Sequence, residues 1–447
     1  MKQPLILFIG ILFSFNVSAQ KSISLSLDQA IDYALINSYA VLNANRDIDG
    51  AKLKKWETTT IGLPQINAKI DYTNWLKEQL ILIPAEFAGG APGEFTEVSF
   101  VTKQNISATA TLSQLIFDGS YLVGLQSAKT YLKISENAKE KTELSIREAV
   151  INAYGNVLLS EESLLIIEKN IQTLEKTLIE TNQIYLNGLA EEESVEQLKL
   201  TLASVKSQFS KTKNLKSIAY KLLNITLGID INTQVILTDS LNKLTKENID
   251  LGLLSTNLTI ENHVDFKIAK NTEKSNELLM KLEQSKALPT LSSFVNFDYS
   301  GYGTKFDFLK KDQQWFGSSL LGVTLNVPLF SSLARSARTQ QAKIELDKAR
   351  TNLTETEQKL QLQLETAKTE YNFNIEEFDT SKQNLALAER IEKKQQIKFF
   401  EGISTSFELS ESQRQLYTMQ QNYLQAMLNV IASKAALDNA LSISINN

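Results

Sequence analysis

The sequence predicts a mixed α and β protein with an internal two-fold repeat, in which each half carries two β-strands and a long antiparallel helical hairpin. Three observations support this fold class. Short segments recur at a nearly constant spacing, alternation with a period of two residues marks four strands, and two very long stretches lack proline. Hydrophobic residues make up 43% of the 447 residues, so the chain is long and apolar enough to bury a large core.

The internal repeat appears in three pairs of segments that are separated by 213 or 214 residues along the chain. They are TLSQLIFD (111–118) with TLNVPLFS (324–331), YLNGLAEEESVEQ (185–197) with FFEGISTSFELSE (399–411), and LNITLGI (223–229) with LDNALSI (437–443). Few positions are identical, but the constant spacing predicts a duplicated architecture. We therefore expect a first structural repeat over 20–230, a linker or equatorial segment over 231–258, and a second repeat over 259–447.

The N-terminus has the pattern of a secretory signal peptide. Lys2 precedes an apolar run, and Val17-Ser18-Ala19 resembles a cleavage site with small residues, so residues 1–19 are expected to be removed. The alternative, a membrane anchor helix, is disfavoured because the apolar run is short. Export is therefore predicted.

Composition argues against several classes of function. The net charge of −5 gives no basic face for a nucleic-acid partner. The sequence contains no cysteine and one histidine, His263, which we interpret as an ordinary surface or helix-end residue. Its glycines are scattered rather than grouped into a phosphate-binding loop. We therefore expect no enzymatic activity, no cofactor and no metal site.

Each half begins with a helical pattern that ends at a Leu-Pro pair, because proline cannot continue a helix. These helices are expected over 27–60, before Leu63-Pro64, and over 261–287, before Leu288-Pro289. A strand pair follows each helix, within 64–117 and within 289–330. The four strands are placed at 66–73, 105–113, 295–299 and 321–327, with loops near 77–97 and 302–314.

After the strands, each half continues as a very long helix. Residues 120–184 and 332–398 contain no proline, and at about 1.5 Å per residue each helix would be on the order of 100 Å long. Each is followed by a glycine that suits a left-handed turn, and then by a returning helix with coiled-coil spacing of its apolar residues. The predicted tips of the two hairpins are Gly188-Leu189 and Gly402-Ile403.

The strands alternate between apolar residues and small polar residues, which is typical of a transmembrane β-barrel. Aromatic residues near the strand ends are predicted to form a belt at the membrane interface; they are Tyr72, Trp75, Phe100, Tyr299 and Trp315. A soluble sandwich with one wet face is the alternative. Because four strands cannot close a barrel and open edges are not tolerated in lipid, membrane insertion would require an oligomer that shares its strands.

Taken together, the order of these elements resembles the TolC-like outer membrane efflux protein family, the outer membrane factors. The segments that carry the resemblance are LSLDQAIDYALINS, the two Leu-Pro strand starts, and the tip motifs YLNGLAEEESVEQLKL and FFEGISTSFELSESQ. The resemblance covers essentially the whole mature chain. It implies a homotrimer in the outer membrane, with a shared twelve-stranded β-barrel and a helical α-barrel in the periplasm.

The same resemblance implies a function and partners. It implies the exit duct of a tripartite efflux or type I secretion system, which passively conducts substrates delivered by an inner-membrane transporter and a periplasmic adaptor that meets the helical tips. The alternative is a non-conducting periplasmic coiled-coil protein of structural or adaptor type. The duplicated strands favour the channel, since an adaptor would not need them.

The resemblance also places a periplasmic gate at Glu408 and Glu411. Their spacing puts both carboxylates on one face of a helix, and in a trimer they would form two acidic rings that favour cations. The first half has Ser194 and Gln197 at the equivalent positions. The alternative interpretation is that Glu408 and Glu411 are solvated acids on a coiled-coil surface.

Overall fold

A computed structural model describes residues 23–256 and 259–442, so the predicted signal peptide lies outside the described residues. The first half contains β1 (Ile23–Leu25), α1 (Leu27–Asn37), α2 (Tyr39–Thr60), β2 (Gln65–Asn74), β3 (Leu80–Pro84), β4 (Phe95–Ser99), β5 (Gln104–Phe117), α3 (Gly119–Leu186) and α4 (Glu192–Leu227). It is followed by β6 (Val235–Leu237), α5 (Leu241–Glu247), α6 (Val264–Ser285), β7 (Thr290–Gly303), β8 (Trp315–Asn326), α7 (Ala334–Phe400) and α8 (Ser406–Ala440). The series α2, β2, β5, α3, α4 has the same order as α6, β7, β8, α7, α8.

The chain divides into two compact units that do not follow the boundaries between the two halves. One unit comprises Met1–Asn45, Lys139–Val264 and Glu357–Asn447, and the other comprises Arg46–Ala138 and Asp265–Thr356. Each unit therefore takes segments from both halves of the sequence.

The first unit has a hydrophobic core in which two buried tyrosines anchor irregular backbone. The Tyr154 hydroxyl lies 3.1 Å from the Leu25 carbonyl oxygen and 3.0 Å from Asp239 Oδ2. The Tyr371 hydroxyl donates to the Asn248 carbonyl oxygen at 2.7 Å. β6 pairs with β1 in parallel, and its residue Val235 is part of the core. The described part of the predicted linker, residues 231–256, thus belongs to this unit.

The predicted single helix over 27–60 is wrong at one residue, Ser38, which separates α1 from α2. Its backbone is extended, with φ −61° and ψ 142°, and its hydroxyl accepts a hydrogen bond from the Val41 N–H at 3.4 Å. Gly228, at φ +79°, passes so close that a Cβ there would lie 2.2 Å from the Asn37 carbonyl oxygen. The break therefore reflects a tertiary contact that the local sequence does not reveal.

The second unit is built on a four-stranded antiparallel sheet with the strand order β2-β5-β7-β8. All four predicted strands are present, and each is longer than predicted. The pairing is regular except for an irregularity between Leu115 and Phe117 at the end of β5. The two central strands, β5 and β7, come from different halves of the sequence, so the halves are joined through this sheet.

The predicted loop near 77–97 contains a hairpin that the sequence analysis missed. β3 and β4 pair antiparallel, with Leu80 opposite Ser99 and Pro84 opposite Phe95. The turn between them includes Gly89, at φ +80°. The loop was predicted because glycine and proline are frequent here, whereas these residues lie mainly in the turn. The other predicted loop, near 302–314, corresponds to residues 304–314 between β7 and β8.

The two long helices are continuous as predicted. α3 has 68 residues and α7 has 67. Among the described residues, α3 alone includes a segment that is long and apolar enough to cross a membrane by composition, and half of that segment is buried within the protein. Since core helices of soluble proteins share this property, the segment is weak evidence for a membrane helix.

Candidate functional site

One face of the four-stranded sheet is polar and carries an ordered set of hydrogen bonds. Thr109 Oγ1 donates to Asp298 Oδ1 at 2.7 Å, and Ser300 Oγ donates to Asp298 Oδ2 at 2.7 Å. On the outer strand β2, Lys69 forms an ion pair with Asp71 at 2.9 Å. The register places Asn67, Ser107, Thr111, Asn296 and Ser318 on this same face. Polar side chains therefore occur on this face in all four strands, together with a few apolar ones such as Leu320 on β8.

The opposite face of the sheet is apolar and largely exposed. Its members include Ile66, Ile70, Phe297, Leu321 and Val323, whose exposed fractions range from 56% to 75%. Exposed apolar surface is unfavourable in water by about 25 cal/mol per Å². A contiguous apolar face of this kind marks contact with a membrane or with another protein surface.

The sheet has two outer strands, β2 and β8. Within residues 23–256 and 259–442, neither pairs with a further strand on its outer side. Their outward-pointing N–H and C=O groups therefore lack strand partners in the single chain. Such edges pair readily with a strand of another chain.

Four of the five predicted belt residues, Tyr72, Trp75, Tyr299 and Trp315, lie at the end of the sheet where β2 leads towards β5 and β7 leads to β8. The register puts Tyr72 and Trp315 in the same transverse row, with Tyr299 in the neighbouring row. Trp75 directly follows β2, and Phe100, which is 70% exposed, directly follows β4. The register thus brings Tyr72, Tyr299 and Trp315 to one end of the sheet, and Trp75 follows directly at that end.

The same end of the sheet contains an aromatic cluster that the sequence analysis did not identify. The Tyr72 ring contacts Phe306 edge-on at 5.5 Å and Phe308 at 6.2 Å between ring centroids. Phe308 is buried, at 3% exposure, although it lies in the connection between β7 and β8. Two phenylalanines in a short loop were the available signal, but their contact with β2 depends on the tertiary fold.

Both predicted tips are tight turns built around a glycine in the left-handed conformation. Gly188 has φ +75° and Gly402 has φ +73°. At the first tip the Leu189 N–H donates to the Ile184 carbonyl oxygen at 3.0 Å, and at the second the Ile403 N–H donates to the Lys398 carbonyl oxygen at 2.9 Å. These bonds form Schellman motifs. Leu189 and Ile403 point into solvent, at 80% and 71% exposure.

The predicted gate residue Glu408 forms hydrogen bonds with the residues that precede α8, Ser404 and Thr405. Its Oε2 accepts from the Thr405 N–H at 2.9 Å and from the Ser404 hydroxyl at 2.7 Å, while the Thr405 hydroxyl accepts from the Glu408 N–H at 3.2 Å. This is a capping box at the start of α8. The Thr405 N–H, together with the Ser404 hydroxyl, lowers the pKa of the Glu408 carboxyl. Glu408 is therefore an ionised helix-capping residue on an exposed surface.

Glu411 lies one turn further along α8, where it pairs with Arg414 at 2.5 Å. It also lines a cavity of about 460 Å³ between α4 and α8, together with Gln197. The positions equivalent to the gate residues in the first half, Ser194 and Gln197, therefore differ in surroundings, since only Gln197 lines this cavity. The structure does not bring Glu408 and Glu411 into direct contact with each other.

Near this tip, α7 and α8 enclose polar side chains that the sequence analysis did not identify. Gln413 is 1% exposed. Burial raises the pKa of the Glu392 carboxyl, with the Gln413 amide acting in the opposite direction, and burial also raises the pKa of Tyr417. His263, expected at the surface or at a helix end, directly precedes α6 and is buried, at 3% exposure.

A family model described as outer membrane efflux protein matches residues 256–442, which include α6, β7, β8, α7 and α8. The match covers about two fifths of the chain, so the second half is similar to the outer membrane efflux protein family. The resemblance inferred from the motifs is thereby confirmed. No curated protein sequence matches the chain.

Solved structures extend the likeness to nearly the whole chain. CusC is similar with a TM-score of 0.74 and 16% identity, over 93% of this chain and 91% of that chain. The CmeC outer membrane channel of Campylobacter jejuni is similar with a TM-score of 0.73 and 16% identity, over 93% of this chain and 85% of that chain. The outer membrane protein VceC of Vibrio cholerae is similar with a TM-score of 0.71 and 16% identity, over 93% of this chain and 95% of that chain. The mixed α and β fold predicted from the sequence is that of these channel proteins.

Proposed function

We propose that this chain is an outer membrane efflux protein and forms the exit duct of a tripartite efflux or type I secretion system. Three copies contribute four strands each to one twelve-stranded β-barrel in the outer membrane, and their helical hairpins form an α-barrel in the periplasm. The single observation that carries the proposal is the four-stranded sheet, with one apolar exposed face, one polar face and two unpaired edges.

The two faces of the sheet fit a channel wall. In a barrel the apolar face, with Ile66 and Leu321 about 70% exposed or more in the single chain, would contact lipid acyl chains. The polar face, with Asp298 held by two hydroxyl groups, would line an aqueous lumen. In a soluble coiled-coil or adaptor protein such an apolar face would be exposed to water, which is unfavourable.

The two edges support sharing of the sheet between copies. Because the four strands alternate in direction, β8 of one copy would run antiparallel to β2 of the next copy, and every edge would be closed. The resemblance to the outer membrane factors implies three copies and thus twelve strands.

The remaining assignments rest on this assembly. We infer that 20–230 and 259–447 are duplicated repeats that alternate around the trimer, with 231–258 between them. The adaptor and the inner-membrane transporter are the partners, and conduction is passive, without a cofactor or catalytic site. In this scheme the tips Gly188, Leu189, Gly402 and Ile403 meet the adaptor, Glu408 and Glu411 line the gate, and Tyr72, Trp75, Phe100, Tyr299 and Trp315 form the interfacial belt.

A matched pair of substitutions tests the membrane barrel. Leu320 and Leu321 are adjacent on β8, both exposed, and point to the polar and the apolar face respectively. Leu321→Lys should reduce assembly in the outer membrane, since a lysine facing lipid costs about 2–4 kcal/mol near the bilayer midplane. Leu320→Lys should be tolerated, because that side chain would face water.

The measurement is the amount of protein in purified outer membranes, with the mass of the detergent-solubilised complex giving the number of copies. A trimer mass for the unaltered protein and for Leu320→Lys is expected. A soluble monomer, or equal effects of the two lysines, would instead support the non-conducting coiled-coil protein.

A further inference from the structure

The connection between β8 and α7 exposes an unusual amount of apolar side chain. Leu329, Phe330 and Leu333 are 87%, 83% and 76% exposed. We call these three residues the β8–α7 ridge. Leu329 continues the odd-numbered apolar positions of β8 beyond its end at Asn326, and Phe330 and Leu333 follow it before α7 begins. All three lie at the opposite end of that strand from Trp315.

The ridge is held in a defined conformation by the turn that carries it. Ser332 and Leu333 have φ of +47° and +65°, a region that residues other than glycine rarely adopt. Arg335 supports the turn, since its Nε donates to Ser331 Oγ at 3.1 Å and its Nη1 donates to the Pro328 carbonyl oxygen at 2.9 Å. The backbone is thus fixed so that the apolar side chains remain outside.

The first ten residues of α7 after the ridge include cations but no acidic residue. Arg338 and Lys343 are exposed, and neither forms an ion pair with any residue in 23–256 or 259–442. The first acidic residue of α7 is Glu345. Further along, Lys348 pairs with Glu345 at 2.7 Å, and Arg350 is also ion-paired. Arg338 and Lys343 thus lie within the first ten residues of α7, close to the ridge, and have no ion-pair partner among the described residues.

The equivalent connection in the first half, between β5 and α3, is built differently. Asp118 accepts from the Ser120 N–H at 2.6 Å and from the Tyr121 N–H at 3.3 Å. The Tyr121 hydroxyl donates to the Thr59 carbonyl oxygen at 3.1 Å. This junction is capped by an acid and closed by an internal contact, and its apolar side chains are less exposed than those of the ridge, with Ile116 at 53% and Phe117 at 38%.

The length of β8 places the ridge at a membrane boundary. Its 12 residues, at about 3.3 Å each and with a tilt of about 40°, would span about 30 Å, the thickness of the hydrocarbon core. If Trp315 marks one interface, as the proposed function requires, the ridge lies at the other. Arg338 and Lys343 would follow at the level of the headgroups.

We propose that the β8–α7 ridge inserts into the periplasm-facing leaflet and that Arg338 and Lys343 bind the phosphates of anionic phospholipids there. The inference rests on the proposed barrel. The ridge directly follows β8, whose Leu321 and Val323 lie on the proposed lipid-facing side of the sheet. Arg338 and Lys343 complement a negatively charged headgroup layer.

Spin labelling tests the insertion. Because the sequence has no cysteine, Phe330→Cys, Val323→Cys and Gln340→Cys each give one labelled site in protein reconstituted into phosphatidylglycerol vesicles. Labels at 330 and 323 should be accessible to oxygen and protected from a water-soluble nickel chelate, and the label at 340 should show the reverse.

The possible outcomes separate the two proposals. A label at 330 that behaves as in water, while 323 behaves as in lipid, would overturn the ridge assignment and leave the channel intact. A water-like label at 323 as well would overturn the barrel itself. Protection from both reagents at 330, with spin–spin broadening, would show that a neighbouring copy covers the ridge, and this too would overturn the inference.

The headgroup contact has its own test. Replacing Arg338 and Lys343 with glutamine should weaken association of a spin-labelled phosphatidylglycerol by about fivefold for each cation removed. Association of a spin-labelled phosphatidylcholine should not change. Lys348→Gln is the control, since Lys348 is already ion-paired, and it should have no effect. Equal loss in the control, or no loss in the double variant, would overturn the role of the two cations.

Discussion

The tips offer the sharpest test of the local structure, because three glycines allow the same substitution in two different backbone conformations. Gly188 and Gly402 have φ of +75° and +73°, whereas Gly50 lies inside α2. No heavy atom lies within 4 Å of the position that a Cβ would occupy at any of the three. An alanine therefore meets no steric barrier, and its effect depends on the backbone alone.

The expected effects have opposite signs. Gly188→Ala and Gly402→Ala should each destabilise the tip by about 1–2 kcal/mol, the cost of a left-handed residue with a side chain. Gly50→Ala should stabilise its helix by roughly 0.5–1 kcal/mol, because alanine loses less backbone freedom on folding. The same chemical change thus destabilises the two turns and stabilises the helix.

Hydrogen exchange of backbone amides, followed by mass spectrometry, measures these differences locally. The tip amides of Leu189 and Ile403, which close the Schellman motifs, should exchange about 5 to 30 times faster in the alanine variants. Amides around residue 50 should exchange more slowly in Gly50→Ala. Unchanged or slower exchange at the tips would refute the argument that glycine is required there for its backbone conformation.

Three further predictions concern the gate and the core. Replacing Glu408 and Glu411 with glutamine preserves the capping box and should weaken cation selectivity in planar-bilayer recordings; unchanged selectivity would remove both from the gate. Burial raises the pKa of the Glu392 carboxyl, so its ionisation opposes folding at any pH above the pKa that it has in the unfolded chain. Glu392→Gln should therefore raise the urea midpoint of unfolding at pH 8 and leave it nearly unchanged at pH 4. A larger gain at pH 4 would contradict this. Tyr154→Phe should lower the free energy of unfolding by about 1–3 kcal/mol. The control Tyr131→Phe, at a half-exposed tyrosine, should lower it little. Equal losses in urea titrations would show that the hydrogen bonds of the buried Tyr154 hydroxyl contribute nothing.

Several features of the fold were predictable because the sequence reports them locally. Alternation with a period of two residues identifies a strand and its two faces together, so the polar and apolar sides of β2 and β5 followed directly. Proline and glycine mark the ends of elements for steric reasons, which is why the turns at Gly188 and Gly402 were found. The repeated spacing then linked the two halves.

Other features depend on residues that are distant in sequence. The break at Ser38 is associated with the close approach of Gly228, and the contact between Tyr72 and Phe308 joins two separate hairpins. The capping box at Thr405 and Glu408 is a local pattern of a threonine followed three residues later by a glutamate, so it was predictable from the sequence. The missed β3 and β4 strands show how turn residues can hide a short hairpin.

By itself, the sequence determined the classes of element, their order and the two faces of the sheet, because local propensity and periodicity act over a few residues. Only the tertiary structure decided which strands are neighbours, which edges stay open, and which side chains at the β8–α7 junction remain outside. Those properties depend on long-range register and on contacts between segments that lie far apart along the chain, and no local pattern encodes them.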